Sequence, residues 1–346
     1  MRYKLLGRSG LRVSEIALGT MTFGPGADWS RSEDEARTVF DTYAEAGGNF
    51  IDTANMYTGG ESEKIVGRLV APDRERYVVA TKYANAVPGS GNPNAAGMHR
   101  KSLFQSLDAS LKRLALDYID VYFVHWWDFT TPVEEVHRAL DDAVSAGKIL
   151  HIGLSDVPAW AVSRAQAFHE LRGYAPIAAM QLEYSLVQRS IEREHLPMGR
   201  TYDIAITAWS PLAGGILTGK YTAKAADGPR RMDSMQLQPL DERNLRIAEA
   251  VDAVAARVGA SASQVALAWV ITKGVIPIVG ATRPEQMREN LGAVDLRLDR
   301  ETIAELDSAS AFDAGHPYSM LDWDMPMALG YGGMFDRIDI PFFRRP

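Results

Sequence analysis

The sequence predicts an α/β protein built as a (β/α)8 TIM barrel, with an N-terminal β-hairpin and a C-terminal aromatic tail. Three observations carry this. Eight short runs rich in Val, Ile, Ala and aromatics recur along the chain. Most are apolar throughout, as for parallel strands covered on both faces. Amphipathic segments fill the intervals, which implies right-handed βαβ units, and eight such strands close most simply into a barrel.

The first fourteen residues, turning at Gly7 to Gly10, read as a hairpin that can plug one end of the barrel. The strands follow at 15–20, 49–54, 77–83, 120–126, 149–155, 177–184, 204–210 and 276–281. Between the first two, Ser32 and Glu35 form a capping box. Ala36, Val39, Phe40 and Tyr43 recur at helical spacing, and Gly47 ends the helix. Leu103, Leu107, Leu111 and Leu114 mark another helix. Thr131 as cap and Pro132 as first helical residue open the next, which runs to Gly147. Pro158 opens the one after. Strand starts lie roughly 27–43 residues apart, a normal βαβ spacing. The exception is the interval from Ile204 to Ile276, where a Gly-, Pro- and Arg-bearing loop (212–240) precedes two helical segments. A long loop after a barrel strand usually serves the active-site face.

The whole chain, 1–346, reads as one barrel domain, with 1–14 as hairpin and 311–346 as tail. That tail holds Phe312, Tyr318, Trp323, Tyr331, Phe335, Phe342 and Phe343. It is too aromatic for a disordered segment. It either packs on the barrel flank or a neighbouring subunit, or walls the substrate pocket. A homo-oligomer stays open.

Acidic residues outnumber basic ones, 44 to 37, for a net charge of −7. This argues against a whole-surface grip on nucleic acid or anionic membrane, though a local basic cluster can still hold a phosphate. There are no cysteines, which excludes disulfides, thiolate-bound metals and cysteine nucleophiles. The start lacks the apolar run of a signal peptide, and no stretch is long and apolar enough to span a membrane. The reading is a soluble, cytoplasmic protein.

Several motifs fail. Gly89-Ser90-Gly91 starts like a dinucleotide fingerprint, but position 94 is Asn and the strand–turn–helix setting is missing. Gly214 to Lys220 resembles a P-loop, but Tyr221 stands where a small hydroxyl must hold magnesium. His169-Glu170 lacks a second His for a zinc pair, and Gly153-Leu154-Ser155 is no nucleophile elbow. The seven histidines show no metal-ligand spacing, so no metal is expected.

One constellation holds. Barrel chemistry gathers where strands end at the top face. The strand ends bring Asp52, Lys82 and His125, with Tyr57 just beyond Asp52. Taken singly these are a helix cap, a buried cation, a core histidine and a surface aromatic. Together they form an acid–base set. A Tyr near pKa 10 donates poorly at pH 7, and a nearby ammonium favours its phenolate. Asp52 could hold Lys82 charged, and His125 could polarise a substrate oxygen.

From about residue 5 to 310 the chain resembles the aldo-keto reductase family. Gly48 to Tyr57, then Gly60-Glu61-Ser62-Glu63 and Gly67, look like its first signature. Val79-Ala80-Thr81-Lys82 looks like its lysine strand, and Leu116 to Tyr122 leading to His125 and Asp128 looks like its histidine strand. The resemblance implies carbonyl reduction with a nicotinamide cofactor, and Asp52, Tyr57, Lys82 and His125 as catalytic tetrad. Tyr57 would donate the proton, with His125 adding a hydrogen bond to the same oxygen.

The resemblance also implies the cofactor contacts. Thr20 and Met21 lie beside the ribose. Ser155, Gln181 and the neighbouring Asp156 lie at the carboxamide, although relatives usually carry Asn at position 156, and Asp52 counts among the cofactor-binding residues too. Trp209 stacks on the nicotinamide. Ser210, Pro211, Leu212, Gly214 and Lys220 hold the pyrophosphate. Gly280, Thr282, Arg283, Gln286, Glu289 and Asn290 form the adenosine-phosphate site at a helix N-terminus. Relatives hold the 2′-phosphate with a Lys-Ser pair and a later Arg; here Gly280, Ala281 and Gln286 stand there, and Arg283 supplies the charge. Arginine suits phosphate, so the reading favours NADPH and leaves NADH open.

Trp126 and Trp127 follow His125, and Met21, Phe23, Trp29, Met56 and Tyr83 sit on neighbouring loops or strand ends. Trp29, Met56, Tyr83 and Trp126 are the expected substrate residues. They suggest aldehydes or ketones on hydrophobic or ring-bearing molecules. The alternative is a cofactor-binding regulatory subunit resembling the β subunits of potassium channels, with little turnover.

Overall fold

The computed structural model describes residues 1–26, 28–86, 91–222, 238–321, 324–334 and 337–338. Tyr3–Leu5 (β1) and Arg12–Ser14 (β2) pair antiparallel. Eight parallel strands then close a barrel: Ala17–Gly19 (β3), Phe50–Asp52 (β4), Val78–Tyr83 (β5), Ile119–Val124 (β6), Ile149–Ser155 (β7), Ile177–Glu183 (β8), Ala205–Trp209 (β9) and Ile276–Val279 (β10). Seven lie within an expected run, and β6 starts one residue before its own, at Ile119. Closure comes from β10 pairing with β3, Ile278 opposite Ala17.

The surrounding helices are Glu33–Glu45 (α1), Glu61–Val70 (α2), Arg100–Leu114 (α3), Val133–Ser145 (α4), Ala159–Arg172 (α5), His195–Tyr202 (α6), Glu242–Val258 (α7), Ala262–Thr272 (α8), Pro284–Leu291 (α9) and Arg300–Ala309 (α10). The capping box of Ser32 and Glu35 forms. Ala36, Val39, Phe40 and Tyr43 are buried, so the helical stripe meets the barrel wall. Pro158 caps α5. One start needs correction. Thr131 does not cap α4; Pro132 occupies that position, and the helix begins at Val133. The Thr131 hydroxyl is engaged instead with the Asp128 carboxylate, at 2.7 Å.

Two core layers follow from strand periodicity. Outward residues such as Ile51, Val79, Tyr122 and Leu154 join the helices. Inward residues, among them Phe50, Val78, Ala80, Val121 and Phe123, fill the lower barrel together with Leu6 and Val13 of the hairpin. The hairpin is therefore a plug. Arg8 N–H donates to the Asp203 carbonyl at 2.8 Å. At Gly7 (φ +56) a Cβ would fall 2.5 Å from the Ala178 carbonyl oxygen. Higher up, a Cβ on Gly153 would fall 2.4 Å from the Phe123 ring, so glycine there makes room for the aromatic that fills the barrel.

After α10 the chain runs along the segment that follows β8. Arg189 lies 5.7 Å from the Phe312 ring centre and donates to Ser310 Oγ at 2.9 Å. Arg193 donates to the Asp313 carbonyl at 3.2 Å. The start of the tail thus packs on the barrel flank. Trp323, Phe335, Phe342 and Phe343 lie outside the described residues, as do Gly89, Ser90 and 223–237 of the long loop. Among the described residues no single helix is long and apolar enough to cross a membrane.

Between α4 and α5 the rings of His137 and His169 share a 2.8 Å hydrogen bond, both buried. Burial lowers both pKa values, that of His137 to about 3, with the other ring's charge adding to it. Above about pH 6.5 both rings are neutral in either state. Below it the unfolded chain takes up protons that the folded pair refuses, so stability falls as pH drops toward about 3. For His137 the loss is up to about 1.4 kcal/mol per pH unit, and His169 adds in the same direction. Urea denaturation at pH 7 and pH 5 should show a larger drop for the native chain than for a His137→Gln, His169→Gln double variant. Equal drops would overturn this assignment.

Candidate active site

Strand parity builds the site. Phe50, Ala80 and Phe123 point into the barrel. Asp52, Lys82 and His125 each lie two residues further on, so they face the same interior at the C-terminal ends of β4, β5 and β6. The same parity turns Tyr83 outward. It is fully buried, stacks on Tyr122 at 5.1 Å and donates to the Met98 carbonyl at 3.1 Å. The expectation that Tyr83 lines the substrate pocket is therefore corrected; it belongs to the layer between barrel and helices.

Lys82 is fully buried. Its Nζ donates to Asp52 Oδ2 at 2.6 Å, to the Thr53 carbonyl at 2.9 Å and to the Tyr57 hydroxyl oxygen at 3.3 Å. Those three bonds use all three ammonium hydrogens. Burial alone would lower the Lys82 pKa, but the Asp52 carboxylate and the Tyr57 oxygen outweigh it and the net shift is upward. Lys82 is an ammonium. Asp52 is fixed from the other side by Gln181, whose Nε2 donates to Oδ1 at 2.7 Å.

His125 is buried, and its ring lies edge-on to Tyr57 with centroids 6.2 Å apart. Trp126 stacks on it at 4.3 Å. Burial, helped by the Lys82 charge, pushes its pKa down to about 2, so it is a neutral imidazole. Sequence reasoning missed its partner: Asn85 Nδ2 lies 2.7 Å from His125 Nδ1. A lone Asn in a loop carries no pattern that would single it out.

The loop bearing Trp126 and Trp127 is organised by Asp128. Its carboxylate accepts from the N–H groups of Met98, Thr130 and Thr131. Burial pushes this carboxyl up, but those bonds and the Thr131 hydroxyl outweigh it and bring it to about 2. Trp126 and Met56 are exposed and Trp29 is half-buried. Trp127 packs edge-on against Phe129 and Trp160, which makes this side of the barrel mouth aromatic.

The expected cofactor residues also sit at the C-terminal ends of strands. Thr20 is buried, and its hydroxyl donates to the Asp52 carbonyl at 2.9 Å. Met21 follows it, half-buried. Ser155 ends β7. Next to it Asp156 adopts a left-handed conformation (φ 48) and accepts from Trp209 Nε1 at 3.2 Å. Burial, reinforced by Glu183, raises the Asp156 pKa to about 6 against the opposing pull of Trp209, Ser155 and Lys82. Beyond β9, Ser210 (φ 52) and Ala213 (φ 50) are left-handed. They bend the 210–219 segment around Pro211, Leu212 and Gly214, and Ser210 Oγ accepts from Gly214 N–H at 3.1 Å. Successive amides in such conformations form anion-binding concavities.

Gly280 is exposed at the end of β10, and Arg283 caps α9. Gln286 Oε1 accepts from Thr282 N–H and from its hydroxyl, at 3.0 and 2.9 Å. Glu289 offers its carbonyl to Gln264, and Asn290 is buried. Arg31, also missed, donates to the Thr282 carbonyl at 3.2 Å and ties this turn to the β3–α1 loop. Arg283 and Lys220 are exposed and make no ion pair among the described residues.

Residues 15–311 match the model of the aldo/keto reductase family. The chain belongs to that family. A norsolorinic acid reductase of Aspergillus flavus is 39% identical over 328 residues, covering 92% of this chain and 83% of its own. An aryl-alcohol dehydrogenase of Pestalotiopsis microspora is 36% identical over 345 residues, covering 96% and 86%. An aldo-keto reductase of Aspergillus calidoustus is 34% identical over 338 residues, covering 93% and 85%. Aldo/keto reductases move hydride between NAD(P)H and small carbonyl compounds, and this one is accordingly an oxidoreductase.

Replacing Lys82 by Met leaves the Asp52 carboxylate buried without its counter-ion. Breaking a buried pair in this way costs about 3–5 kcal/mol. Chemical denaturation of this reductase should register that loss; an unchanged midpoint would show that the pair does not form.

Proposed function

We propose that this protein reduces aromatic aldehydes or ketones with NADPH, using Tyr57 as proton donor, and catalyses the reverse oxidation of aryl alcohols. The observation that carries the reading is the contact of Lys82 Nζ with the Tyr57 oxygen at 3.3 Å. The ammonium donates to that oxygen and so favours the phenolate, which eases loss of the phenol's proton to a substrate oxygen. The aromatic mouth and the likeness to an aryl-alcohol dehydrogenase support a ring-bearing substrate.

The residues present fit a nicotinamide nucleotide. The left-handed turns of 210–214, the α9 N-terminus, and Lys220 and Arg283, which make no ion pair among the described residues, suit its phosphates. Gln181, Ser155 and Asp156 offer polar groups for its carboxamide. The bound cofactor supplies hydride to the carbonyl carbon. Tyr57 passes its proton to the carbonyl oxygen, and Lys82 stabilises the phenolate that remains. His125, being neutral, adds a hydrogen bond to the same oxygen. Asp52 keeps Lys82 in place, and Trp126 lies stacked on His125 at the barrel mouth.

Tyr57→Phe should lower kcat by about 10² to 10⁴, while NADPH still quenches the fluorescence of Trp209. Unchanged turnover would overturn the assigned acid. Tight cofactor binding by the native chain with no turnover on any aryl carbonyl would favour the regulatory alternative.

Arg283→Ala should weaken NADPH about 10- to 100-fold, the value of a charged hydrogen bond, and leave NADH nearly unchanged. Parallel titrations followed by Trp209 quenching check this. Equal losses for both nucleotides would reject Arg283 as the 2′-phosphate clamp.

A further inference from the structure

His125 is neutral, so its ring carries a single proton, and a neutral imidazole donates from one nitrogen and accepts at the other. Which nitrogen holds the proton decides what the ring can do at a substrate oxygen. One neighbour bears on that choice. Asn85 lies just beyond β5 and is buried. Its Nδ2 stands 2.7 Å from His125 Nδ1 and 3.2 Å from Asn55 Oδ1. Asn55 is two residues before Tyr57. A continuous run of side chains, Asn55–Asn85–His125, therefore links the loops after β4 and β5 to the end of β6.

We infer that Asn85 is a positioning residue that fixes the tautomer of His125. Its amide hydrogens go to Asn55 and to His125 Nδ1, which must then be the acceptor, and the ring proton sits on Nε2. The opposite tautomer needs the amide oxygen at that point. It would then face Asn55 Oδ1, and both amides would have to turn. The Asn85 Oδ1 atom is buried without a partner among the described residues. The amide is held by its nitrogen alone, so donation is the property this position supplies. Such a second residue, bonding the far nitrogen of a working histidine, sets which proton the ring offers. The inference rests on the reading of His125 as donor to the carbonyl oxygen.

The test separates the two claims. Imidazole 15N shifts are recorded on the full chain, with a His125→Gln spectrum identifying the signal. In the native chain Nε2 should be protonated and Nδ1 bare. Asn85→Asp keeps the shape but replaces the donor by an acceptor, so the proton should appear on Nδ1. Its kcat should fall about 10²-fold, the scale of losing one oxyanion donor, with KM and NADPH affinity little changed. Asn85→Ala serves if the aspartate variant fails to fold; it should give mixed tautomers and an intermediate kcat. A protonated Nδ1 in the native chain, or a bare Nδ1 in the aspartate variant, overturns the inference. A moved proton with unchanged kcat supports Asn85 as the determinant and overturns the role given to His125.

Discussion

The buried ion pair of Lys82 and Asp52 is the constraint around which the site is arranged. An ammonium and a carboxylate with almost no exposure are costly to desolvate, and they persist only because each further lone pair and hydrogen is satisfied. Thr53 takes one ammonium hydrogen, Tyr57 another, and Gln181 reaches from β8 to the second carboxylate oxygen. Four loops or strands are thereby held to one point. That point holds the phenol and the ammonium at a fixed separation, which is the electrostatic preorganisation that charge transfer requires.

Polar bonds from α2 and α3 to the neighbouring strands hold that point in place. Ser62, at the start of α2, lies 2.9 Å from the hydroxyls of both Thr20 and Thr53. Glu63 is fully buried, accepts from Thr81 at 2.6 Å and takes Arg113 Nε at 2.5 Å. The Gly60-Glu61-Ser62-Glu63 segment thus joins β3, β4, β5 and α3 on the outer side of the strands whose inner side bears Asp52 and Lys82. Its value is rigidity rather than contact with substrate.

Much of this was legible in the sequence, and the reasons differ by element. The eight strands were readable because strands buried on both faces are apolar throughout. The start of α1 was readable because a capping box is a local pattern. Errors arose where a neighbour outweighed the local signal. Thr131 looks like a cap until Asp128, three residues earlier, claims its hydroxyl. Tyr83 sits beside Lys82 in sequence but on the opposite face of the strand, and a one-residue step in a strand is a change of compartment. Asn85 and Arg31 act through contacts between loops that are distant in sequence, for which a single chain carries no periodicity. Cofactor choice stays a matter of Arg283, because the expected Lys-Ser pair is replaced.

The plug at the base of the barrel bears on when the molecule can be completed. Leu6, Gly7 and Arg8 precede their seats at Ala178 and the carbonyl of Asp203 by more than half of the barrel. The seam between β3 and β10 joins Ala17 to Ile278. Contacts so far apart along the chain are slow to form, because loop closure must precede their reward. The hairpin therefore waits, with Leu6 and Val13 unburied, until the strands that cover it have been made. That interval is when this chain is most exposed to misassociation.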